Sequence, residues 1–115
     1  MRFSVRIVAQ GTETLDPMRI EFTRSGGFAG MRVAKVLNTD EMPEAEALAL
    51  KELVKSAEFF DLPESLRSRG ADRFQYDITI ESDGRTHTVK ADEGAIPPAL
   101  APLVKRLESY ALNQR

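Results

Sequence analysis

Apolar and polar positions change their period several times along this chain, and each change marks an element. Met18, Ile20 and Phe22 alternate with Arg19, Glu21 and Thr23, the period-2 pattern of a half-buried strand. Ser25-Gly26-Gly27 interrupts it, and a Gly-Gly pair tolerates positive φ at both turn positions, so the chain can reverse into a hairpin. A second strand is predicted from about Ala29 to Leu37, with Met31 and Val33 on one face. Its alternation slips at Ala34, Val36 and Leu37, which predicts a bulge or burial on both faces. Thr39 or Asp40 then suits a helix N-cap, with Pro43 in the first turn and Glu41, Glu44 and Glu46 near the positive end of the dipole. Leu50, Leu53, Val54, Ala57 and Phe60 follow the helical spacing of one core-facing stripe, and the helix is expected to end near Phe60, ahead of Pro63.

Residues 61–72 read as a loop whose polar tip runs from Ser68 to Asp72. Phe74, Tyr76, Ile78 and Ile80 then alternate with Gln75, Asp77, Thr79 and Glu81 in the clearest strand of the chain. Asp83-Gly84 suits a type I′ turn, and Arg85 to Ala91 returns as the fourth strand. A loop containing Gly94 leads to a last helix with the stripe Leu100, Leu103, Val104, Leu107, Tyr110 and Ala111; Pro102 implies a start near Ala101 or an irregular first turn. The order β-β-α-β-β-α predicts an α+β fold: a four-stranded antiparallel sheet with two helices packed on one face. Residues 18–115 form the predicted domain. Residues 1–17 stand apart, with Phe3, Val5 and Ile7 alternating and residues 11–17 turn-like. They read as an extra edge strand, a loosely attached arm, or a stretch upstream of a natural start at Met18.

With 42% hydrophobic and 30% charged residues in 115, the chain has the composition of a folded domain rather than a disordered one. A net charge of -2 and a pI near 5.5 lack the basic excess of a nucleic-acid binder, so no nucleic-acid partner is expected. The absence of cysteine excludes disulfides, thiolate zinc sites, iron–sulfur clusters and a cysteine nucleophile, and a single histidine, His87, excludes two-histidine metal sites. Arg2 and Arg6 break up the first residues, which lack a secretory apolar core. The longest uncharged apolar run, Ala95 to Val104, is too short to span a bilayer and holds Pro97, Pro98 and Pro102. A soluble cytoplasmic protein with no membrane partner is expected.

The chemistry inventory is thin. His87 shares a strand face with Val89 and Ala91 and reads as a partly buried ring packed against a helix, and no G-x-S-x-G motif offers it a nucleophile. Asp77 and Glu81 lie on the outer strand face, within reach of Arg85 across the turn. Asp92-Glu93 is a weak cation signal beside the richer calcium-loop pattern. Gly26, Gly27 and Gly30 have no phosphate-loop motif behind them. Phe28, directly after the Gly-Gly turn, either tucks into the core or stands out as a binding anchor. No active site assembles from these residues, so no enzyme and no cofactor are expected.

Five segments in order carry a family resemblance: Phe22 to Gly30, Ala57 to Pro63 with its Phe59-Phe60 pair, Asp72 to Tyr76, Asp83 to Val89, and Pro97 to Leu103. Together, from about Met18 to the C-terminus, they resemble the emfourin family, also called protealysin inhibitors. The resemblance implies a small cytoplasmic bacterial protein that inhibits thermolysin-like zinc metallopeptidases of the protealysin type, with the zinc in the target. It implies a protein that is not itself a catalyst. Alternating chain direction would bring the Ser25–Phe28 turn, the 61–72 loop and the 92–97 loop to one end of the domain, and Asp83-Gly84 and the 38–42 connection to the other. Loops on a rigid scaffold concentrate recognition, so the candidate protein-binding residues are Arg24, Ser25, Gly26, Gly27, Phe28, Arg67, Arg69 and Pro97. Phe28 or a neighbouring apolar group would fill a pocket, since thermolysin-like enzymes favour large hydrophobic side chains. The alternative is a non-inhibitory interaction or accessory module. The polar outer set Gln75, Asp77, Thr79 and Glu81 disfavours sheet-to-sheet association, and the free protein is expected to be a monomer.

Overall fold

Alternation at Met18, Ile20 and Phe22 becomes strand β1, Met18–Gly26, in the computed structural model, which describes residues 17–26, 32–69 and 74–113. β2 is Val33–Asn38, β3 Ser65–Leu66, β4 Phe74–Ser82 and β5 Arg85–Asp92; the helices are α1, Glu44–Ala57, and α2, Ala101–Leu112. The order in the sheet is β2-β1-β4-β5-β3. β1 pairs antiparallel with β2 and β4, and β4 antiparallel with β5. The α+β plan with two helices therefore holds, but the sheet is mixed and has five strands rather than four antiparallel ones. The extra strand, β3, lies inside the predicted 61–72 loop and runs parallel to β5, with Ser65 opposite Lys90 and Leu66 opposite Ala91. Two residues are too few to show any period in sequence. The Lys90 amide, donating to the Glu64 carbonyl at 2.9 Å, holds this short strand in place.

One face of the sheet is apolar. Ile20, Phe22, Ile78, Ile80 and Val89 are buried there against Leu50, Val54 and Ala57 of α1 and Leu103, Val104, Leu107 and Ala111 of α2. Helical spacing thus puts one stripe of each helix on the strand face that period-2 alternation made hydrophobic. Pro102 sits in the first turn of α2, whose start at Ala101 is the one expected.

Three further local expectations change. β2 carries no bulge over its described residues: its register is continuous from Arg24 opposite Val33 to Arg19 opposite Asn38. Val36 points outward, 46% exposed. Lys35, opposite Phe22, shares the inner face instead, and an inward charge on an edge strand discourages pairing with foreign strands. Thr39 caps no helix; it begins a short 3-10 turn, and its buried hydroxyl accepts the Met18 amide at 2.9 Å. The residue preceding α1 is Pro43, with Glu44 and Glu46 in the first turn. At the far end Glu58 turns left-handed (φ 51°, ψ 49°), so α1 stops at Ala57. The reversal drops Phe59 into the core, 1% exposed, and leaves Phe60 only partly buried.

Asp83 (φ 55°) and Gly84 (φ 77°) take the double left-handed conformation of a type I′ turn, as their sequence demands. Arg85 beside it stacks its guanidinium 4.2 Å above the Phe60 ring, and no ion pair to Asp77 or Glu81 forms. The apolar seam sets the expected stability changes. Leu107→Ala should cost about 3 kcal/mol in urea unfolding, whereas Val36→Thr on the outer face should stay within about 0.5 kcal/mol.

Candidate protein-binding site

Strand register decides which loops meet. Gly26 lies opposite Phe74, Ser25 opposite Gln75, and Arg24 opposite Tyr76. Gln75 in turn faces Asp92, and Tyr76 faces Ala91, which is paired with Leu66. The exits of β1, β3 and β5 and the entry of β4 therefore share one end of the sheet. Asp83-Gly84 and Asn38 lie at the other.

At the first end, carboxylates fasten loop backbone to strand ends. Asp92 accepts the Ser68 amide at 2.9 Å and the Gln75 side-chain amide at 3.3 Å. Glu93 accepts the Phe74 amide at 3.2 Å. The Asp92-Glu93 pair is thus a structural tie, and no group of three or more His, Asp or Glu is placed to hold a metal among the described residues. Arg67 donates through Nε to Ser65 Oγ at 3.1 Å and is exposed, as is Arg69. Pro97 is half-buried, and its carbonyl accepts the Leu100 and Ala101 amides at 2.9 and 3.1 Å where α2 begins. Gly26 ends β1 with φ 86°. Gly27 and Phe28 lie outside the described residues. The register places Arg24 to Gly26 and Arg67 to Arg69 at the same end but on strands three spacings apart, roughly 14 Å.

Arg24 is engaged internally. Its Nη1 lies 2.6 Å from Glu108 Oε2, with the two side chains only 18% and 22% exposed. Its guanidinium also stacks 4.1 Å over the Phe74 ring. The Tyr76 hydroxyl donates to the same Glu108 oxygen at 3.2 Å, and the Tyr76 ring stacks on Phe22 with centroids 6.0 Å apart. Glu108, Tyr76 and Phe74 were not singled out as site residues by sequence reasoning. The available signal was position: Glu108 sits four residues after buried Val104, at the edge of the α2 stripe.

His87 belongs to the fold. Its Nε2 donates to the Leu62 carbonyl at 2.7 Å, and its ring meets Phe59 edge-on at 5.6 Å, so it binds the turn after α1 to β5.

Burial, followed by the Glu108 charge and the hydrogen bond to it, pushes the Tyr76 phenol up to about 12. Burial and its hydrogen bond to Glu46 raise Tyr110 as well, and these are the two tyrosines of the chain. A phenol whose ionisation is raised by folding stabilises the fold fully below pH 10. That contribution is lost as pH climbs from 10 towards 12, because the unfolded chain gives up its proton first. Ultraviolet titration of the folded protein should show no tyrosine ionising at the ordinary value, and Glu108→Gln should lower the later of the two steps. A normal step near pH 10 for Tyr76 would contradict this geometry.

The family model of the emfourins matches residues 22–108, which includes all of α1, most of the buried stripe of α2 and the end of the sheet just described. No curated protein and no solved structure matches the chain. The span from Phe22 to Glu108 is well over half of the sequence, and on that match the chain belongs to the emfourin family.

Proposed function

We propose that this protein inhibits a thermolysin-like zinc metallopeptidase of the protealysin type by lodging the loop end of its sheet in the enzyme's active-site cleft. The family match over residues 22–108 carries the reading. The convergence of the β1, β3 and β5 exits at one end supports it, because several connections can then address one partner surface. In this reading residues 18–115 act as one emfourin-like domain, with residues 1–17 as an extension. The protein is a cytoplasmic bacterial monomer that performs no catalysis itself. No helix among the described residues is long and apolar enough to cross a membrane.

Contact with the enzyme falls to Ser25, Gly26, Gly27, Phe28, Arg67, Arg69 and Pro97. Phe28 supplies the apolar anchor, and exposed Arg67 and Arg69 supply planar donors able to take carboxylates or carbonyls. Arg24 contributes by fixing the strand that leads into Gly27 and Phe28.

Titrating a protealysin-type peptidase with the purified protein should abolish activity at saturation. At least one of Phe28→Ala, Arg67→Ala and Arg69→Ala should raise the inhibition constant about tenfold or more, while Asp83→Asn at the opposite end leaves it unchanged. A change below about fivefold, some 1 kcal/mol, at every position of the loop end would reject that end as the contact surface.

A further inference from the structure

Two ion pairs among the described residues differ in kind. Arg19 and Glu21 lie two residues apart on one strand, with side chains 45% and 50% exposed, the sort of pair that contributes little. Arg24 and Glu108 are 84 residues apart, shielded, and join the end of β1 to α2. One oxygen, Glu108 Oε2, receives both the Arg24 guanidinium at 2.6 Å and the Tyr76 hydroxyl at 3.2 Å. Phe74 closes the other side of the guanidinium at 4.1 Å. Both groups held by this carboxylate belong to the same strand row, since Arg24 is opposite Tyr76.

α2 does not need this contact in order to dock. Leu103, Val104, Leu107 and Ala111 already bury its apolar stripe. Drawing a carboxylate and a guanidinium out of water costs desolvation energy that well-packed apolar residues would avoid, so such a pair is weak evidence for net stability. What it supplies is geometry. Two strong donors converging on a single charged oxygen allow few orientations of Arg24. Arg24 lies two residues before Gly26, the last residue of β1.

We infer that Glu108 is a positioning residue: from α2 it clamps Arg24 and Tyr76, and so fixes the end of β1, Ser25 and Gly26, that is presented to a partner. Its bearing on inhibition rests on the reading above, but the clamp itself does not. Burial raises the Tyr76 ionisation first, and the Glu108 charge and hydrogen bond add to it, which gives the clamp an optical signature.

The test uses the full chain carrying Glu108→Gln or Tyr76→Phe, with Leu107→Val as a control that loosens the core without touching the clamp. Amide hydrogen exchange at Ser25 and Gly26 should accelerate about tenfold in both clamp variants while the Gly84 turn is unchanged. Against a protealysin-type peptidase, both should raise the inhibition constant about tenfold, and Leu107→Val should leave it within about twofold. Unchanged exchange at Ser25 and Gly26 would overturn the inference. So would faster exchange with an unaltered inhibition constant, or an equal loss of inhibition in Leu107→Val. If the unaltered chain inhibits no such peptidase, the functional reading fails, and the exchange result alone decides whether the clamp exists.

Discussion

The structure depends on one apolar seam, the inner face of β1, β4 and β5 closed by the stripes of α1 and α2. Ile20, Ile78, Ile80, Val89, Leu50, Leu103 and Leu107 are all fully buried in it. β4 runs through the middle, bonded to β1 along one edge and to β5 along the other. Since a slip of one residue would turn a strand's buried side chains, such as Ile20, Ile78, Ile80 or Val89, to solvent, the seam fixes register. Register in turn fixes where each strand stops. The gathering of strand exits at one end is therefore a consequence of core packing.

Within that frame, polar residues at the loop end act as fasteners. Asp92 and Glu93 hold backbone amides of neighbouring segments, and Glu108 holds Arg24 and Tyr76. Carboxylates read in isolation suggest ion binding or acid–base work; here each already has donors from the chain. Arg67 and Arg69 remain exposed at this end. Such a distribution suits a surface that recognises another molecule by shape and hydrogen bonding, and it fits membership of the emfourin family.

Long periodic segments were legible in the sequence because their pattern and their burial have the same cause. Alternation over Phe74 to Glu81 and the Asp83-Gly84 turn led directly to β4, β5 and the hairpin between them. The stripe of α2 was read residue by residue for the same reason. β3 was invisible, since two residues carry no period and its position is set by an amide of β5. The stop of α1 was misplaced because Glu58 adopts a left-handed conformation uncommon for a non-glycine residue, which moves Phe59 rather than Phe60 into the core. That β1 and β5 stop at one end followed from alternating strand direction. Residues 59–62 did not follow it, since Phe60 stacks under Arg85 and Leu62 takes the His87 bond near the Asp83-Gly84 end, from where β3 carries the chain across. The clamp did not, because Arg24 and Glu108 meet only once α2 has crossed the sheet, and no local pattern links residues so far apart.

The most direct test of the account is a hydrogen-exchange map of the protein alone and in complex with a protealysin-type metallopeptidase. The account predicts new protection at Ser25, Gly26 and residues 67–69, with the Asp83-Gly84 turn and the 38–42 connection exchanging as in the free protein. Protection confined to the Asp83-Gly84 end, or to the outer face around Thr79 and Glu81, would contradict it.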